Sequence, residues 1–192
     1  MNRTIIYTTA KTDEELLRIL ELQKSNLPQN LTDEQKATQG FVTVVHSFET
    51  LKKMNNTEAS IIAKDGESVI GYLLAMTNES RNEFPVLIPM FNAFDEVVYY
   101  NKRISAYHYL VVGQVCIAYG YRGMGILDDC YAAYKNHFIN KYDFAITEIH
   151  KNNKRSIKAH LRIGFELVHS YKDTNGDEWD IVIWDWGKNS KV

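Results

Sequence analysis

Hydrophobic residues recur along the chain at two different periods, and each period predicts one kind of secondary structure. Residues 4–10 form a short β-type run. A capping-box pattern at residues 12–15 precedes leucines and isoleucines at helical spacing, which predict a helix over 13–25. A second capping pattern at residues 32–35 predicts another helical stretch, which we expect to continue to about residue 54.

The middle of the chain changes to the period of β-structure. Two β-rich runs flank Asp65-Gly66, a pair that favours a tight turn, and together they predict an antiparallel hairpin. Apolar residues at near-helical spacing then predict a helix around 87–99. The apolar run over 107–121 is continuous rather than alternating, which is typical of a strand buried on both faces.

The last third of the chain alternates helices and strands. The predicted elements are a helix over about 124–140, a strand over 143–151, a helix over 153–164 capped by Gly164, and a hairpin around Asn175-Gly176. A strand, a helix and a strand in succession form a βαβ unit, so these two strands should be parallel. The order predicts a single α/β domain over residues 1–192 with a mixed sheet.

Composition and charge exclude several classes of protein. Apolar residues make up 45% of the chain, charged residues 24%, and the formal net charge is −2, so no basic surface for nucleic acid is expected. No apolar run approaches the roughly 20 residues of a membrane span, and residues 1–15 lack the apolar segment of a signal peptide. Cys116 and Cys130 fall inside predicted elements, so we expect free thiols and a cytoplasmic location. The histidines have no metal-ligand spacing.

The segment Arg122-Gly123-Met124-Gly125 lies where the long strand passes into a helix. A helix start presents N–H groups without intrahelical partners, and glycines allow a phosphate to approach them. A turn that requires glycine for positive φ is the alternative interpretation. The spacing differs from the dinucleotide fingerprint and from the Walker loop.

Two segments resemble motifs of the GCN5-related N-acetyltransferases, the GNAT family. "YRGMGIL" is similar to the pyrophosphate motif Q/R-x-x-G-x-G/A, with Arg122 and Gly125 in register and Leu127 where Gly or Ala is usual. "NNKRSIKAHLRIGFELV" is similar to the family's last block, N-x-R-A-I-x-L-Y-x-x-x-G-F. The residues in register there are Asn153, Arg155, Ile157, Gly164 and Phe165, while Ser156 replaces Ala and His160 replaces Tyr.

The resemblance implies a GNAT-type fold, with a central, mixed, strongly twisted sheet of about 6–7 strands, about 4–5 flanking helices and a splayed parallel strand pair. It also implies an enzyme that transfers an acetyl group from acetyl-CoA to an amine by direct attack in a ternary complex, without a metal. A non-catalytic acyl-CoA-binding or sensor protein is the alternative, and a different nucleotide-binding module is a third. The residues that the resemblance assigns to the coenzyme are Val115, Cys116, Ile117, Arg122, Gly123, Met124, Gly125, Ile126, Leu127, Asn153 and Ser156.

The resemblance also suggests catalytic roles. His160 stands where the family usually carries the Tyr that protonates the leaving thiolate, so it is the candidate general acid. Gln114 stands where some members carry Glu; it cannot accept a proton but could order a water. Glu148 and His108 are weaker candidates for the general base.

The acceptor amine is not identified by the sequence. Phe41, Tyr107 and Tyr109 could line its pocket, although aromatic residues in these regions could equally pack in the core. The terminal strand could form the edge of a homodimer.

Overall fold

A computed structural model describes residues 4–187, without the side chains of residues 37–39, 83 and 86. The predicted domain began at residue 1 and ended at 192, so its two ends lie outside the described residues. The strands are β1 (Ile5–Thr9), β2 (Ile61–Asp65), β3 (Ser68–Met76), β4 (Val98–Tyr99), β5 (Lys102–Arg103), β6 (Leu110–Ile117), β7 (Phe144–His150), β8 (Glu166–Lys172) and β9 (Glu178–Asp185). The helices are α1 (Asp13–Ser25), α2 (Asp33–Gln39), α3 (Phe48–Thr57), α4 (Ser80–Glu83), α5 (Ile88–Glu96), α6 (Ile126–Phe138) and α7 (Lys154–Ile163). Over this part of the chain, no helix combines the length and the apolar character that crossing a membrane requires.

Seven strands form one mixed sheet in the order β1-β2-β3-β6-β7-β9-β8, and β4 pairs with β5 in a separate ribbon. Strands β6 and β7 are parallel and pair Leu110 with Ala145 and Val111 with Ile146, at the start of β6, as expected for a splayed pair. The predicted fold class and the predicted parallel pair are therefore confirmed. Strand β9 lies between β7 and β8, so β8 rather than the terminal strand is the one at this sheet edge. The homodimer stays a prediction.

Within the described residues the chain forms two compact units. The first contains residues 4–76 and 112–137, and the second contains 77–111 and 138–187. In the first unit, α1 and α3 pack against each other and against β3, with Ile19 and Leu51 fully buried. The second unit contains a cluster of aromatic rings. Its members are Phe91, Phe94, Tyr99, Tyr107, Tyr109 and Phe144.

The helical stretch predicted from residue 32 to about residue 54 is two helices, so that prediction is only partly right. Helix α2 ends at Gly40, whose φ of 73° lies in the left-handed region. Residues 41–47 then contain four β-branched residues and form neither helix nor strand. Helix α3 starts anew at Ser47, whose side chain accepts a hydrogen bond from the Thr50 N–H at 3.1 Å.

The segment between β3 and β6 also differs from the prediction. The helix expected over 87–99 is α5, which ends at Glu96, because the β-branched pair Val97-Val98 leads into the β4–β5 ribbon. Tyr100 and Asn101 form the turn of this ribbon with φ of 43° and 63°. The division of the 32–54 stretch into α2 and α3, together with the short helix α4, raises the number of α-helices to seven in the described residues, above the 4–5 expected.

The capping box at the start of α1 is confirmed, and it generates a test of the fold. The Glu15 N–H donates to Thr12 Oγ1 at 3.2 Å, and the Thr12 N–H donates to Glu15 Oε2 at 3.2 Å. We expect Thr12→Ala to lower the free energy of unfolding by about 1 kcal/mol, because the cap loses its acceptor. Thr12→Ser keeps the hydroxyl and should stay within a few tenths of a kcal/mol of wild type. Urea unfolding of the three proteins measures the difference, and an Ala variant as stable as wild type would contradict the role of the cap.

Candidate functional site

The turn between β6 and α6 is open to solvent at its two glycines. Strand β6 ends at Ile117, a 3₁₀ turn covers Tyr119–Tyr121, and α6 begins at Ile126. Gly123 and Gly125 have φ of 77° and 80°, and a Cβ built on either would meet no atom within 4 Å. Both positions therefore need glycine for their backbone conformation, and both leave room for a ligand beside the main chain.

The start of α6 presents N–H groups away from the helix. The N–H groups of Asp128 and Asp129 both donate to the Gly125 carbonyl, at 3.0 and 3.2 Å, which marks the first turn. The N–H groups of Ile126 and Leu127 precede that turn, so helix geometry gives them no carbonyl four residues earlier. Leu127 is partly buried and does not prevent the helix from starting there. The combination of N–H groups and the helix dipole is suited to an anion.

Arg122 ties this turn to the rest of the first unit. Its Nε donates to the Ile117 carbonyl at 2.9 Å, and a terminal nitrogen donates to Asn26 Oδ1. Asn26 caps the carboxyl end of α1 and is 5% exposed. The guanidinium therefore holds the first residue of the turn in place. This structural role is separate from the phosphate-binding role predicted from the sequence.

Acidic residues also lie in the first turn of α6. Asp129 accepts a hydrogen bond from the Tyr7 hydroxyl at 2.8 Å, which holds that carboxylate against β1. An acidic residue in this position stabilises the helix dipole. It also adds negative charge near an anion site, which Arg122 opposes.

Gln114 is the centre of a hydrogen-bond network in the interior of the first unit. Its Oε1 accepts from Tyr72 Oη at 2.6 Å and from Gln23 Nε2 at 2.7 Å, and its Nε2 donates to the Val44 carbonyl at 2.9 Å. Gln23 in turn contacts His46. The side chain of Gln114 is 8% exposed. Its oxygen already has two protein donors, so the geometry does not favour the water-ordering role predicted from sequence.

The residues that follow Gln114 on β6 are mostly buried. Val115 is partly buried, while Cys116 and Ile117 are 6% and 9% exposed. Burial raises the pKa of the Cys116 thiol to about 12, against the opposing effect of Arg122. A thiol of this kind stays protonated at neutral pH, so Cys116 is not an activated nucleophile.

The second unit contains one carboxyl group with a pKa near neutrality. Glu148 on β7 is partly buried and accepts a hydrogen bond from the Tyr171 hydroxyl. Burial raises the pKa of Glu148 to about 7, while the Tyr171 hydrogen bond lowers it and the nearby Asp173 raises it. A carboxyl group in this range can accept a proton at neutral pH and release it again. Tyr171 and Asp173 also line a groove of about 530 Å³ between α5 and the β8–β9 hairpin.

His160 lies inside α7 in a setting that keeps it neutral. The ring is 3% exposed, and its Nδ1 lies 2.8 Å from the Ser156 carbonyl, which can only accept, so Nδ1 carries the proton. Burial lowers the pKa of His160 to about 4, despite the opposing effect of that hydrogen bond. A neutral ring protonated at Nδ1 has no proton to donate from Nε2. The geometry therefore does not support the general-acid role predicted for His160.

Asn153 and Ser156 meet at the start of the same helix. Asn153 is the N-cap of α7, and its Oδ1 accepts from the Ser156 N–H at 3.2 Å, with its side chain 8% exposed. Gly164 ends the helix in the left-handed conformation, with φ of 114°, as predicted. The capping role accounts for Asn153 structurally, and its contact with a coenzyme stays a prediction.

Solved structures of several acetyltransferases have the same fold as this chain over nearly its whole length. Arabidopsis thaliana NAA60 in complex with acetyl-CoA superposes with a TM-score of 0.64 at 13% identity, covering 95% of this chain and 99% of that one. The ribosomal-protein-S18-alanine N-acetyltransferase from Escherichia coli gives 0.61 at 10% identity, covering 98% and 100%. The NatC complex bound to Gag peptide and CoA gives 0.62 at 16% identity, covering 94% and 98%. The chain has the GNAT fold. No protein-family model and no curated protein sequence matches it.

Within this GNAT fold, the aromatic residues predicted for the acceptor mostly pack in the protein interior. Tyr109 is 3% exposed and stacks on Phe144, and its hydroxyl donates to Asn78 Oδ1 at 3.1 Å. Tyr107 is partly buried, packs on the same Phe144 ring and donates to the Tyr99 carbonyl at 2.7 Å. Phe41 is partly buried in the segment before α3. The packing alternative accounts for both tyrosines, and contact with an acceptor stays a prediction.

His108 anchors the start of β6, and its role as a base stays a prediction. Its N–H donates to Asp143 Oδ2 at 2.9 Å, its ring Nδ1 lies 2.7 Å from the Lys141 carbonyl, and the ring packs on Tyr142. These contacts account for His108 as a structural residue.

Sequence reasoning missed Gln23, His46 and Tyr171. Gln23 follows Leu16 and Ile19 on the buried face of α1, so a polar residue at a core position was the available signal. His46 and Tyr171 have no such signal, because their partners Gln23 and Glu148 are 23 residues away in sequence in each case.

The raised pKa of Glu148 predicts how stability depends on pH. Its pKa is about 7 in the folded protein against an ordinary value of 4.5, so between these pH values the folded state binds more protons than the unfolded state. The free energy of unfolding should therefore fall as pH rises through this window. Glu148→Gln removes the effect, so its stability relative to wild type should increase from pH 5 to pH 8 in urea unfolding experiments.

Tyr171→Phe is the matched variant for this test. It removes the hydrogen bond that lowers the Glu148 pKa, so the loss of stability should move to higher pH. Parallel pH curves for wild type and Glu148→Gln would show that Glu148 titrates in its ordinary range.

Proposed function

We propose that the protein is an acyl-CoA-dependent N-acetyltransferase, which transfers the acetyl group of acetyl-CoA to an amine of an unidentified acceptor. The observation that carries this proposal is the glycine turn before α6, with Gly123 and Gly125 at positive φ and open space beside both. The GNAT fold supports the proposal, because neighbours of the same fold were solved with acetyl-CoA or CoA. Under this proposal the N–H groups of residues 123–127 bind the coenzyme pyrophosphate.

The remaining coenzyme contacts follow from the resemblance to the family. The backbone of Val115, Cys116 and Ile117 would bond to the pantetheine arm as an added strand does. A backbone N–H in this segment would also face the thioester carbonyl. Arg122 adds positive charge at the pyrophosphate, and Asn153 and Ser156 stay candidates for further pantetheine contacts.

The proposed reaction is a direct acyl transfer. The neutral amine attacks the thioester carbonyl carbon, and the carbon–oxygen double bond opens to an oxyanion that a backbone N–H stabilises. The oxyanion then re-forms the carbon–oxygen double bond while the carbon–sulfur bond breaks, and the thiolate leaves with the electron pair of that bond. The attacking nitrogen loses one proton in the process, and the thiolate gains one.

Glu148 stays a candidate base that the resemblance suggests for this reaction. Burial raises the pKa of Glu148 to about 7, so this carboxyl group can change charge near neutral pH. His160 is neutral and holds its proton toward the Ser156 carbonyl, so we do not assign it the acid role. A thiol has an ordinary pKa of about 8.5, so the leaving thiolate can take its proton from water.

The alternative function is a non-catalytic acyl-CoA-binding or sensor protein. The buried, neutral His160 in place of the usual Tyr favours it. Measurement of CoA release with a thiol reagent separates the two functions, and Cys116 and Cys130, both buried with pKa values raised to about 12, should contribute little background. Peptides with free amino termini are the first probes, since one neighbour is an S18-alanine N-acetyltransferase and another was solved with a peptide. Acetyl-CoA binding without release for peptides, lysine derivatives or polyamines would favour the sensor.

Calorimetric titration tests the coenzyme site directly. We expect wild type to bind acetyl-CoA in preference to NAD and ATP. Gly125→Glu should weaken acetyl-CoA binding by about a hundredfold or more, because a carboxylate would lie against the pyrophosphate.

The control for this variant is Gly176→Glu, at a glycine with φ of 87° and equally open surroundings, in the β8–β9 turn of the second unit. It adds the same charge and similar backbone strain, and should leave the affinity unchanged. Folded wild type that does not bind acetyl-CoA would contradict the proposed function. Equal loss in both variants would show that strain or net charge, rather than the glycine turn, determines binding.

A further inference from the structure

The network around Gln114 fixes the orientation of each of its members. The Val44 carbonyl can only accept, so Gln114 must direct its Nε2 toward Val44 and its Oε1 toward Gln23 and Tyr72. Gln23 must therefore present Nε2 to Gln114. A second contact agrees with this orientation, since the His46 N–H donates to Gln23 Oε1 at 2.9 Å.

This orientation fixes the tautomer of His46. The two hydrogens of Gln23 Nε2 go to Gln114 Oε1 at 2.7 Å and to His46 Nδ1 at 2.8 Å. Because Nδ1 accepts a hydrogen bond, it carries no proton, and the proton of the neutral ring lies on Nε2. Burial lowers the pKa of His46 to about 4, which keeps the ring neutral at physiological pH.

The Nε2–H group of His46 is the ring donor that Gln23 does not use. The ring is partly buried and is held through Nδ1 by Gln23, which is 2% exposed. Among residues 4–187, Gln23 is the hydrogen-bond partner of His46, and Nε2 is not among the buried polar atoms that lack a partner. An accessible donor that a network holds in one tautomer is prepared for a ligand.

The position of this donor connects it with the proposed reaction. Two hydrogen bonds link the His46 ring to Gln114, and Gln114 directly precedes the β6 residues whose backbone is proposed to hold the pantetheine arm. The donor cannot act as the base for the amine, because Nε2 already carries a proton. A hydrogen bond from it to the amine lone pair would also block attack. An oxygen of the acceptor is a partner that this donor can bind without blocking attack by the amine.

We infer that His46 donates its Nε2–H to a carbonyl oxygen of the acceptor, and that the acceptor is a peptide-like amine with an amide carbonyl next to the amino group. This inference rests on the proposed function, because the acceptor is the amine substrate of that reaction. Gln23 is a positioning residue, which acts by holding the His46 tautomer. His46 determines specificity between peptide amines and plain alkylamines.

Nuclear magnetic resonance of the ¹⁵N-labelled full chain tests the inference without any turnover. Long-range ¹H–¹⁵N correlations should identify His46 as the Nε2–H tautomer. In the presence of CoA, alanyl-alaninamide should shift the His46 ring signals, whereas butylamine, which lacks the carbonyl, should not. A protonated Nδ1, equal shifts with both amines, or no shift with either would overturn the inference.

Variants separate this role from a structural one. His46→Phe removes the donor and should weaken binding of alanyl-alaninamide about five- to tenfold, with CoA affinity unchanged. His46→Gln places an amide donor near the position of Nε2 and should recover most of that affinity. Gln23→Leu should leave the donor residue in place but allow the Nδ1–H tautomer to appear. Full peptide affinity in a folded His46→Phe variant would overturn the inference.

The outcomes also separate this inference from the proposed function. If the peptide shifts the His46 signals but the protein does not bind acetyl-CoA, the His46 site stands and the proposed transferase function fails. If the protein binds acetyl-CoA but the two amines shift the His46 signals equally, the proposed function stands and this inference fails.

Discussion

The first unit depends on the hydrogen bonds of the Gln114 side-chain amide, because they join β6 to three other segments. The amide bonds to Tyr72 on β3, to Gln23 on α1 and to the Val44 carbonyl in the segment before α3. Buried amides and hydroxyls are costly to leave without partners, so the four groups hold one another in place. Arg122 does the same beyond the end of β6, where it links the Ile117 carbonyl to α1. The strand and the glycine turn that follows it are therefore anchored on both sides.

Burial shifts the pKa values of histidine and glutamate side chains in opposite directions. It lowers the pKa values of His46 and His160 to about 4, so both imidazoles are neutral and act through fixed hydrogen bonds. It raises the pKa of Glu148 to about 7, so this carboxyl group changes charge in the physiological range. Of these three groups, Glu148 is the one suited to moving a proton, whereas the sequence alone favoured His160.

The local signals in the sequence predicted most of the fold. The capping box at Thr12, the continuous apolar run of β6 and the left-handed Gly164 each depend on residues close together in the chain, and each is confirmed. The break after Gly40 was missed because a capping signal marks where a helix starts but not where it ends. The Gln23–Gln114 bond joins residues 91 positions apart, and the neutral state of His160 depends on what surrounds it, so neither could be predicted from sequence spacing.

The central claim is that the N–H groups of the glycine turn bind the coenzyme pyrophosphate. Amide ¹H–¹⁵N spectra recorded during titration with CoA test it most directly. Pantetheine, the part of CoA that contains no phosphate, is the comparison. If these N–H groups bind the pyrophosphate, CoA should produce its largest shifts at the amides of residues 123–127, and pantetheine, which lacks the pyrophosphate, should leave them nearly unchanged. Saturable CoA binding that leaves these five amides unshifted would contradict it.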